Sequence, residues 1–317
     1  MLNQPDRTTR PLIALLCLLW AAGVHPASLP PGLADDGKAR LNDLLNENLD
    51  YIRNQGGPYT DPQRALREFG GFFEAPPCPH CEPLKSPTEE EEARISDAIR
   101  AEAENGDPKA QFRLAGRYAE GKGMDSDIVQ GLHWLQRAAG NGNRDASFAL
   151  ARIYDSGIGV PADHAKAAHF YETVADSRVH AAIANRRLGE MNEFGIGIPQ
   201  DYAKAMARYH TEIALNADSM RPVRWSQWSE FAIGRMYAQG KGVPQDYAKA
   251  AEWFLTVTDR GASYGGLIPE AECALAIMYW TGLGVQRNET RGTFFLHRPN
   301  AMSMKACKKL KADLSSQ

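Results

Sequence analysis

Apolar residues recur at steps of four along the second half of the chain. Ala110, Leu114 and Tyr118 are spaced in this way, which places them on one face of a helix. A Gly-x-Gly sequence then ends the helix and allows the positive φ angles of a tight turn. An Asp and a second apolar stripe follow, as at the start of another helix. The pattern therefore predicts a helix–turn–helix hairpin.

This hairpin pattern occurs five times. A hairpin of this size cannot bury its apolar face alone, so neighbouring copies must stack. The sequence therefore predicts an all-α solenoid. In the third copy the aromatic residue of the second helix, Tyr209, comes one residue late. The central apolar position of the five first helices is filled by Leu114, Leu150, Leu188, Ile233 and Leu275.

The last two of the four intervals between copies are the longest. The first spans 36 positions (114 to 150), whereas the third and fourth span 45 (188 to 233) and 42 (233 to 275). The extra residues fall between one hairpin and the next, where insertions in solenoids often form the binding face. Because Trp and Arg are enriched at interface hot spots, we predict partner contacts there. The alternative is that Trp225 and Trp228 extend the first helix of the fourth copy and pack inside. The candidates are Arg221, Arg224, Trp225, Trp228 and Tyr264.

The fourth copy carries a specific likeness to a known family. The segment from Gly240 to Trp253, GKGVPQDYAKAAEW, resembles the repeat of Sel1-like proteins. With the other copies, the resemblance extends over about residues 106–310. It implies a right-handed α-solenoid related to tetratricopeptide arrays. It also implies a role as a scaffold or adaptor without enzymatic activity.

Both ends of the array carry residues suited to capping. Thr88–Asn105 has the spacing of the second helix of a degenerate leading repeat. At the other end, Ala306 and Leu310 repeat the first-helix step once more. Four lysines make that last helix polar on its outer side, as a terminal cap requires. We therefore assign residues 88–317 to the solenoid.

The region 28–87 differs from the repeats. Leu41, Leu45, Leu49 and Ile52 follow helical spacing, and a Pro-rich stretch comes after them. We predict one or two short helices and then a loop, packed against the first repeats.

Residues 1–27 have the features of an export signal. Arg7 and Arg10 precede an apolar run from Leu12 to Val24, and the small residue Ala27 follows it. The run is shorter than the roughly 20 residues that cross a membrane, so we predict cleavage rather than anchoring. The mature protein is then expected in the periplasm.

Export makes disulfides possible, since the periplasm is oxidising. The sequence Cys78-Pro-His-Cys81 looks like the active centre of thiol oxidants of the thioredoxin fold. The repeats begin too soon after it to leave room for that fold, so we favour a local disulfide over redox activity or metal binding. Cys273 and Cys307 stand at matching places in two adjacent first helices, so they could pair. Two separate buried cysteines are the alternative.

The charge pattern bears on the partner. The formal net charge is −3, without the clustered positive charge of a nucleic-acid binder. No zinc-protease, nucleophile-elbow or phosphate-loop pattern is present, and we predict no cofactor and no metal. First-helix positions off the apolar stripe would form a positive groove for an acidic segment, or else an ordinary solvated face. They hold Arg113, Arg152 and Arg187, together with Arg117 and Arg235.

These features favour a binding protein over an enzyme. We predict a periplasmic protein–protein interaction scaffold. It is either an adaptor in an envelope or secretion assembly, or an immunity protein that neutralises a secreted toxin effector. The partner is another protein, with no nucleic acid and no stable membrane anchor. A thiol-redox protein that uses Cys78 and Cys81 is the alternative function.

Overall fold

The described part of the chain is helical. A computed structural model describes residues 39–41, 43–45, 87–125, 127–157, 160–217, 226–259, 268–298 and 304–315. Within these ranges the regular secondary structure is entirely helical, with no strand. The export signal, the Pro-rich stretch, Cys78 and Cys81 lie outside them.

The helices of the array follow one another in antiparallel pairs. The structure has α1 (Glu89–Glu104), α2 (Pro108–Glu120), α3 (Ile128–Gly140), α4 (Arg144–Ser156), α5 (His164–Val174), α6 (Ala181–Phe194), α7 (Tyr202–Ala217), α8 (Ser226–Gln239), α9 (Tyr247–Asp259), α10 (Ile268–Thr281), α11 (Glu289–Leu296) and α12 (Lys305–Ser315). The tightest pairs, α2 with α3, α4 with α5, α6 with α7, α8 with α9 and α10 with α11, are the five hairpins. The predicted α-solenoid is thereby confirmed.

Each hairpin turn is closed by the same backbone hydrogen bond. The N–H of Asp163 donates to the carbonyl of Tyr154 at 2.8 Å, and the N–H of Asp246 donates to that of Tyr237 at 2.9 Å. The same Asp caps the second helix, because the side chain of Asp246 accepts from the N–H of Lys249 at 3.0 Å. Asp at this position therefore both closes the turn and starts the next helix.

The second glycine of the Gly-x-Gly sequence in the third, fourth and fifth copies sits where consecutive hairpins touch. Gly242 has φ +74°, the positive value that the sequence predicts. A Cβ atom there would lie 2.8 Å from the backbone of Tyr202, at the start of the preceding hairpin's second helix. Gly197 faces the backbone of His164 in the same way. These glycines therefore set the distance at which hairpins stack.

Replacing Gly242 by Ala is expected to lower the free energy of unfolding by about 1–2 kcal/mol. The new Cβ disfavours the positive φ and also pushes the backbone of Tyr202 away. Gly140→Ala is the matched control, because Gly140 ends helix α3 and a Cβ there meets nothing within 4 Å. Urea titrations of both variants measure the difference. Equal midpoints would contradict the stacking role of Gly242.

The third hairpin corrects one expectation about its aromatic residue. Tyr209 is not displaced, since it stands 21 positions after Leu188 (188 to 209), as the buried Phe254 stands 21 after Ile233 (233 to 254). The aromatic of the other copies is replaced by Arg208, whose Nη2 donates to Glu172 Oε1 at 2.7 Å. An ion pair between α5 and α7 therefore takes the place of a stacked ring.

The residues before the Pro-rich stretch pack elsewhere than predicted. Leu41, Leu44 and Leu45 are helical and buried in the same apolar cluster as Phe254 and Leu310, which belong to the last repeats and the cap. The expectation of packing against the first repeats is therefore wrong for these residues. Periodicity shows that a helix has an apolar face but not where that face is buried.

Candidate functional site

A bidentate ion pair joins the first helices of the second and third hairpins. Arg187 on α6 donates from Nε and Nη2 to the two carboxylate oxygens of Asp155 on α4, at 2.6 and 2.7 Å. Its Nη1 donates to Glu190 at 2.7 Å. Burial alone would raise the pKa of Asp155, but hydrogen bonds from His164 and Arg187 outweigh it and hold that pKa below its ordinary value. Asp155 is therefore ionised at neutral pH.

A second ion pair joins the third and fourth hairpins. Arg235 on α8 donates to Glu193 on α6 at 2.5 Å, and these side chains are 1% and 0% exposed. The hydroxyl of Tyr209 donates to the other oxygen of Glu193 at 2.8 Å. Burial and the charge of Glu193 raise the pKa of Tyr209 well above its ordinary value, so it stays a donor. Each oxygen of the Glu193 carboxylate thus has a donor.

A third group of polar residues lies between α6, α7 and α8. Arg186 donates to Glu190 at 2.7 Å, and Asn216 donates to Glu212 at 2.5 Å. Burial and, to a smaller extent, the charge of Glu230 raise the pKa of Glu212 to about 7, although Ser229 and Arg186 act to lower it. We call the seven residues Asp155, Arg186, Arg187, Glu190, Glu193, Glu212 and Arg235 the polar seam.

The pKa of Glu212 makes stability depend on pH. Between its ordinary value of 4.5 and about 7, native Glu212 keeps a proton that the unfolded chain releases. The free energy of unfolding therefore falls as the pH rises through this window. Glu212→Gln lacks this pH dependence. We therefore expect the free energy of unfolding of the variant, relative to that of the wild type, to rise by about 2 kcal/mol from pH 5 to pH 8. Urea titrations at both pH values measure it, and a difference that stays constant would contradict the raised pKa.

Two of the arginines predicted to line a positive groove belong to the polar seam instead. The prediction that Arg187 contacts a partner is wrong, because Arg187 is buried and its guanidinium binds Asp155 and Glu190. Arg235 is buried likewise against Glu193. Arg113 is 51% exposed, with Glu102 3.9 Å away, and Arg152 is half-buried. Arg113 and Arg152 therefore remain as candidates for a partner contact.

Of the five residues predicted to make partner contacts in the insertions, the structure describes Trp228. Trp228 lies in the first turn of α8 and is half-buried, as the packing alternative predicts for this residue. Arg221, Arg224, Trp225 and Tyr264 lie outside the described residues. The insertions do fall between hairpins, because α7 ends at Ala217 and α8 begins at Ser226.

The two C-terminal cysteines lie side by side. Cys273 on α10 and Cys307 on α12 are fully buried, and the structure pairs their sulfur atoms with the Cα atoms 5.7 Å apart. This separation is typical of disulfides. The predicted proximity of the two first helices is therefore observed.

Sequence reasoning missed the acidic half of the polar seam, although a signal for it exists. Asp155 and Glu193 both stand five residues after the central leucine of their first helix (150 to 155 and 188 to 193). Ala119, Ala238 and Trp280 occupy the equivalent position in the first, fourth and fifth copies. A carboxylate in a position that is otherwise apolar indicates a buried ion pair.

Two searches of the described residues bear on other kinds of site. No group of three or more His, Cys, Asp or Glu side chains there is arranged to hold a metal ion. In the same part of the chain, no helix is both long enough and apolar enough to span a membrane.

Comparison with known proteins yields one family and two informative structures. The model of the Sel1 repeat matches residues 108–143, 144–177, 182–218, 229–256 and 269–298. The crystal structure of c5321, a protective antigen of uropathogenic Escherichia coli strains with an SLR fold, is 29% identical with a TM-score of 0.50. The match covers 66% of this chain but 41% of c5321, so the chain spans about two-fifths of that protein. A Sel1 repeat protein from Oxalobacter formigenes is 25% identical over 81% of this chain and 67% of its own, with a TM-score of 0.53. No curated protein matches the chain.

Proposed function

The chain belongs to the Sel1 repeat family, whose members serve as protein–protein interaction scaffolds, and we propose that it is such a scaffold in the periplasm, without enzymatic activity. The observation that carries the proposal is the run of five stacked hairpins from α2 to α11. Most of their apolar residues are buried in stacking, so the hairpin connections and exposed helix faces are left to meet a partner.

The two insertions favour one dedicated partner. They interrupt an otherwise regular period, and irregular surface suits a single complementary protein better than many. This supports an immunity protein that blocks a secreted effector over a general adaptor. The contacts would come from Arg221, Arg224, Trp225 and Tyr264 in the insertions, with Arg113 and Arg152 on the first helices. The arginines would bind acidic groups of the partner.

The test of this function is recovery of a stoichiometric complex. The tagged full-length chain is expressed in its native host, purified from envelope extract, and its co-purifying proteins are identified by mass spectrometry. We expect one protein that re-forms a defined complex when both are purified. Arg113→Glu/Arg152→Glu should weaken it at least about tenfold, and Arg94→Glu, an exposed arginine on α1, should not. Recovery of no partner, or equal effects of both variants, would contradict the proposal.

The location has its own test. We expect the mature chain to begin near Val24 or Ser28 and to fractionate with the periplasm. Amino-terminal sequencing of the native protein decides this. Full-length chain in the cytoplasm would reject export, and with it the oxidised state of the cysteines.

A thiol-redox function remains a second candidate because of Cys78-Pro-His-Cys81. It makes a different prediction about reactivity. A redox-active pair should contain a thiolate that alkylates rapidly near neutral pH after mild reduction, whereas a structural pair should react slowly. Rate measurements on the reduced native protein, with Cys78→Ser as control, separate the two.

A further inference from the structure

The helical residues 39–41 and 43–45, which we call the latch, bury one apolar face at the C-terminal end of the array. Leu41, Leu44 and Leu45 are 0%, 1% and 1% exposed. Their spacing of three and four places them on the same face of a helix. They share a buried cluster with Cys307 and Leu310 of α12. The latch thus completes the core of the last repeats from a distant part of the chain.

The polar edges of the latch carry charges that match those of α12. Arg40 lies 2.7 Å from Asp313. Asp43 lines the same groove as Lys305 and Lys309, which are exposed. A cation of the latch therefore meets an anion of α12, and an anion of the latch faces two cations. This arrangement sets the direction in which a helix lies on α12.

The receiving surface is part of a firmly built end of the array. Cys307 is paired with Cys273 of α10, which ties α12 to the last hairpin. Leu310 and Met304 are buried in the same cluster as the latch leucines. A solenoid end that exposes such a surface needs a cover, and here the cover is a short helical segment rather than another repeat.

We propose that this end of the array is a helix-binding groove, covered in the free protein by the latch and open to an amphipathic helix of a partner protein that displaces it. The partner helix carries leucine-like residues at i, i+3 and i+4, a cation just before the first and an anion two positions after it. The latch residues that contact the groove have this same pattern of apolar and charged side chains. Binding an apolar helix face in a groove is a common mode of peptide recognition. The proposal rests on the scaffold function and names a site for it.

The latch competes with the partner, which gives the proposal its measurable signature. A groove that is open only part of the time binds a ligand with an affinity reduced by the open fraction. Weakening the latch should therefore tighten the binding of a helix added in trans. A site without such competition would bind it equally in either case.

The experiment uses the full chain and a fluorescent peptide of residues 36–50 as the probe. Leu41→Asp/Leu44→Asp removes the latch from the groove, and Val129→Asp/Val179→Asp adds the same charge at exposed positions as the control. We expect the latch variant to bind the peptide at least about tenfold more tightly than the wild type or the control. No binding to the latch variant, or equal binding to all three proteins, would overturn the proposal.

A charge exchange tests the orientation without altering the apolar face. When Asp313→Arg is added to the latch variant, the wild-type peptide should bind more weakly. A peptide that carries Arg40→Glu should restore the affinity. If the latch variant does not fold by circular dichroism, Arg40→Glu alone in the full chain loosens the latch at its edge and should still tighten peptide binding. Failure of the charge exchange would overturn the proposal. So would a wild-type dimer that Leu41→Asp dissociates, since the groove's occupant would then be a second copy. If the groove binds the peptide as expected but no envelope partner is recovered, only the scaffold function is refuted.

Discussion

Replacing Arg235 by Met is expected to lower the free energy of unfolding by about 3–5 kcal/mol. The substitution leaves the carboxylate of Glu193 buried with its charge uncompensated, because both partners are almost fully shielded from solvent. Tyr209 alone remains as a donor to that carboxylate. Urea denaturation at pH 7 measures the loss, and circular dichroism confirms that the variant folds.

Two companion variants show whether the buried charge is the cause. Arg94→Ala removes an arginine from an ion pair with Glu90 that is exposed on both sides, so its cost should be about 0–1 kcal/mol. Glu193→Gln combined with Arg235→Met removes both charges and keeps an acceptor for Tyr209. This double variant should be more stable than Arg235→Met alone. If it is equally unstable, lost packing rather than the orphaned carboxylate explains the effect.

The hairpins are predictable from local chemistry. Asp246 caps its helix through an N–H three residues away, and Gly242 turns the backbone where a positive φ is required. Each of these interactions lies within one repeat, so it returns at the same offset in the other copies wherever the structure describes the turn. Five copies in register make the stacked architecture follow, since no single hairpin can bury its own face.

The polar seam is not predictable in the same way. Arg187 and Asp155 are 32 residues apart, and Arg235 and Glu193 are 42 apart. Which side chains meet depends on the register between neighbouring first helices, which forms only when the hairpins stack. The arginines looked like surface residues because they lie off the apolar stripe. In the third hairpin, however, α6 is buried on nearly every side.

The position of the latch also depends on contacts that no local pattern encodes. The spacing of Leu41 and Leu45 indicates an amphipathic helix, but periodicity does not show which part of the chain this helix packs against. Arg40 meets Asp313 at the far end of the sequence. The wrong expectation arose from placing a segment beside its neighbours in sequence, whereas its apolar face is buried in the last repeats and the cap.

Loss of the C-terminal disulfide is expected to destabilise the protein by about 2–4 kcal/mol. Cys273 and Cys307 are 34 residues apart, so the bond restricts a loop of that length in the unfolded chain. Cys273→Ala/Cys307→Ala should show this loss in urea, with hydrogen exchange increased most in α12. Reduction of the wild type should reproduce most of the effect, because it breaks the bond and keeps both sulfur atoms in the core.

The same experiment depends on the bond being present in the native protein. Peptide mapping without reductant should recover one pair of peptides that joins Cys273 to Cys307. Cys78→Ser/Cys81→Ser is the control, since these cysteines lie in a separate segment and their removal should leave that peptide pair intact. If Cys273 and Cys307 both alkylate freely in protein taken from the periplasm, the native protein does not contain this disulfide. The cap would then be held by the apolar contacts of Met304 and Leu310 and by the latch, and reductant should leave the unfolding midpoint unchanged.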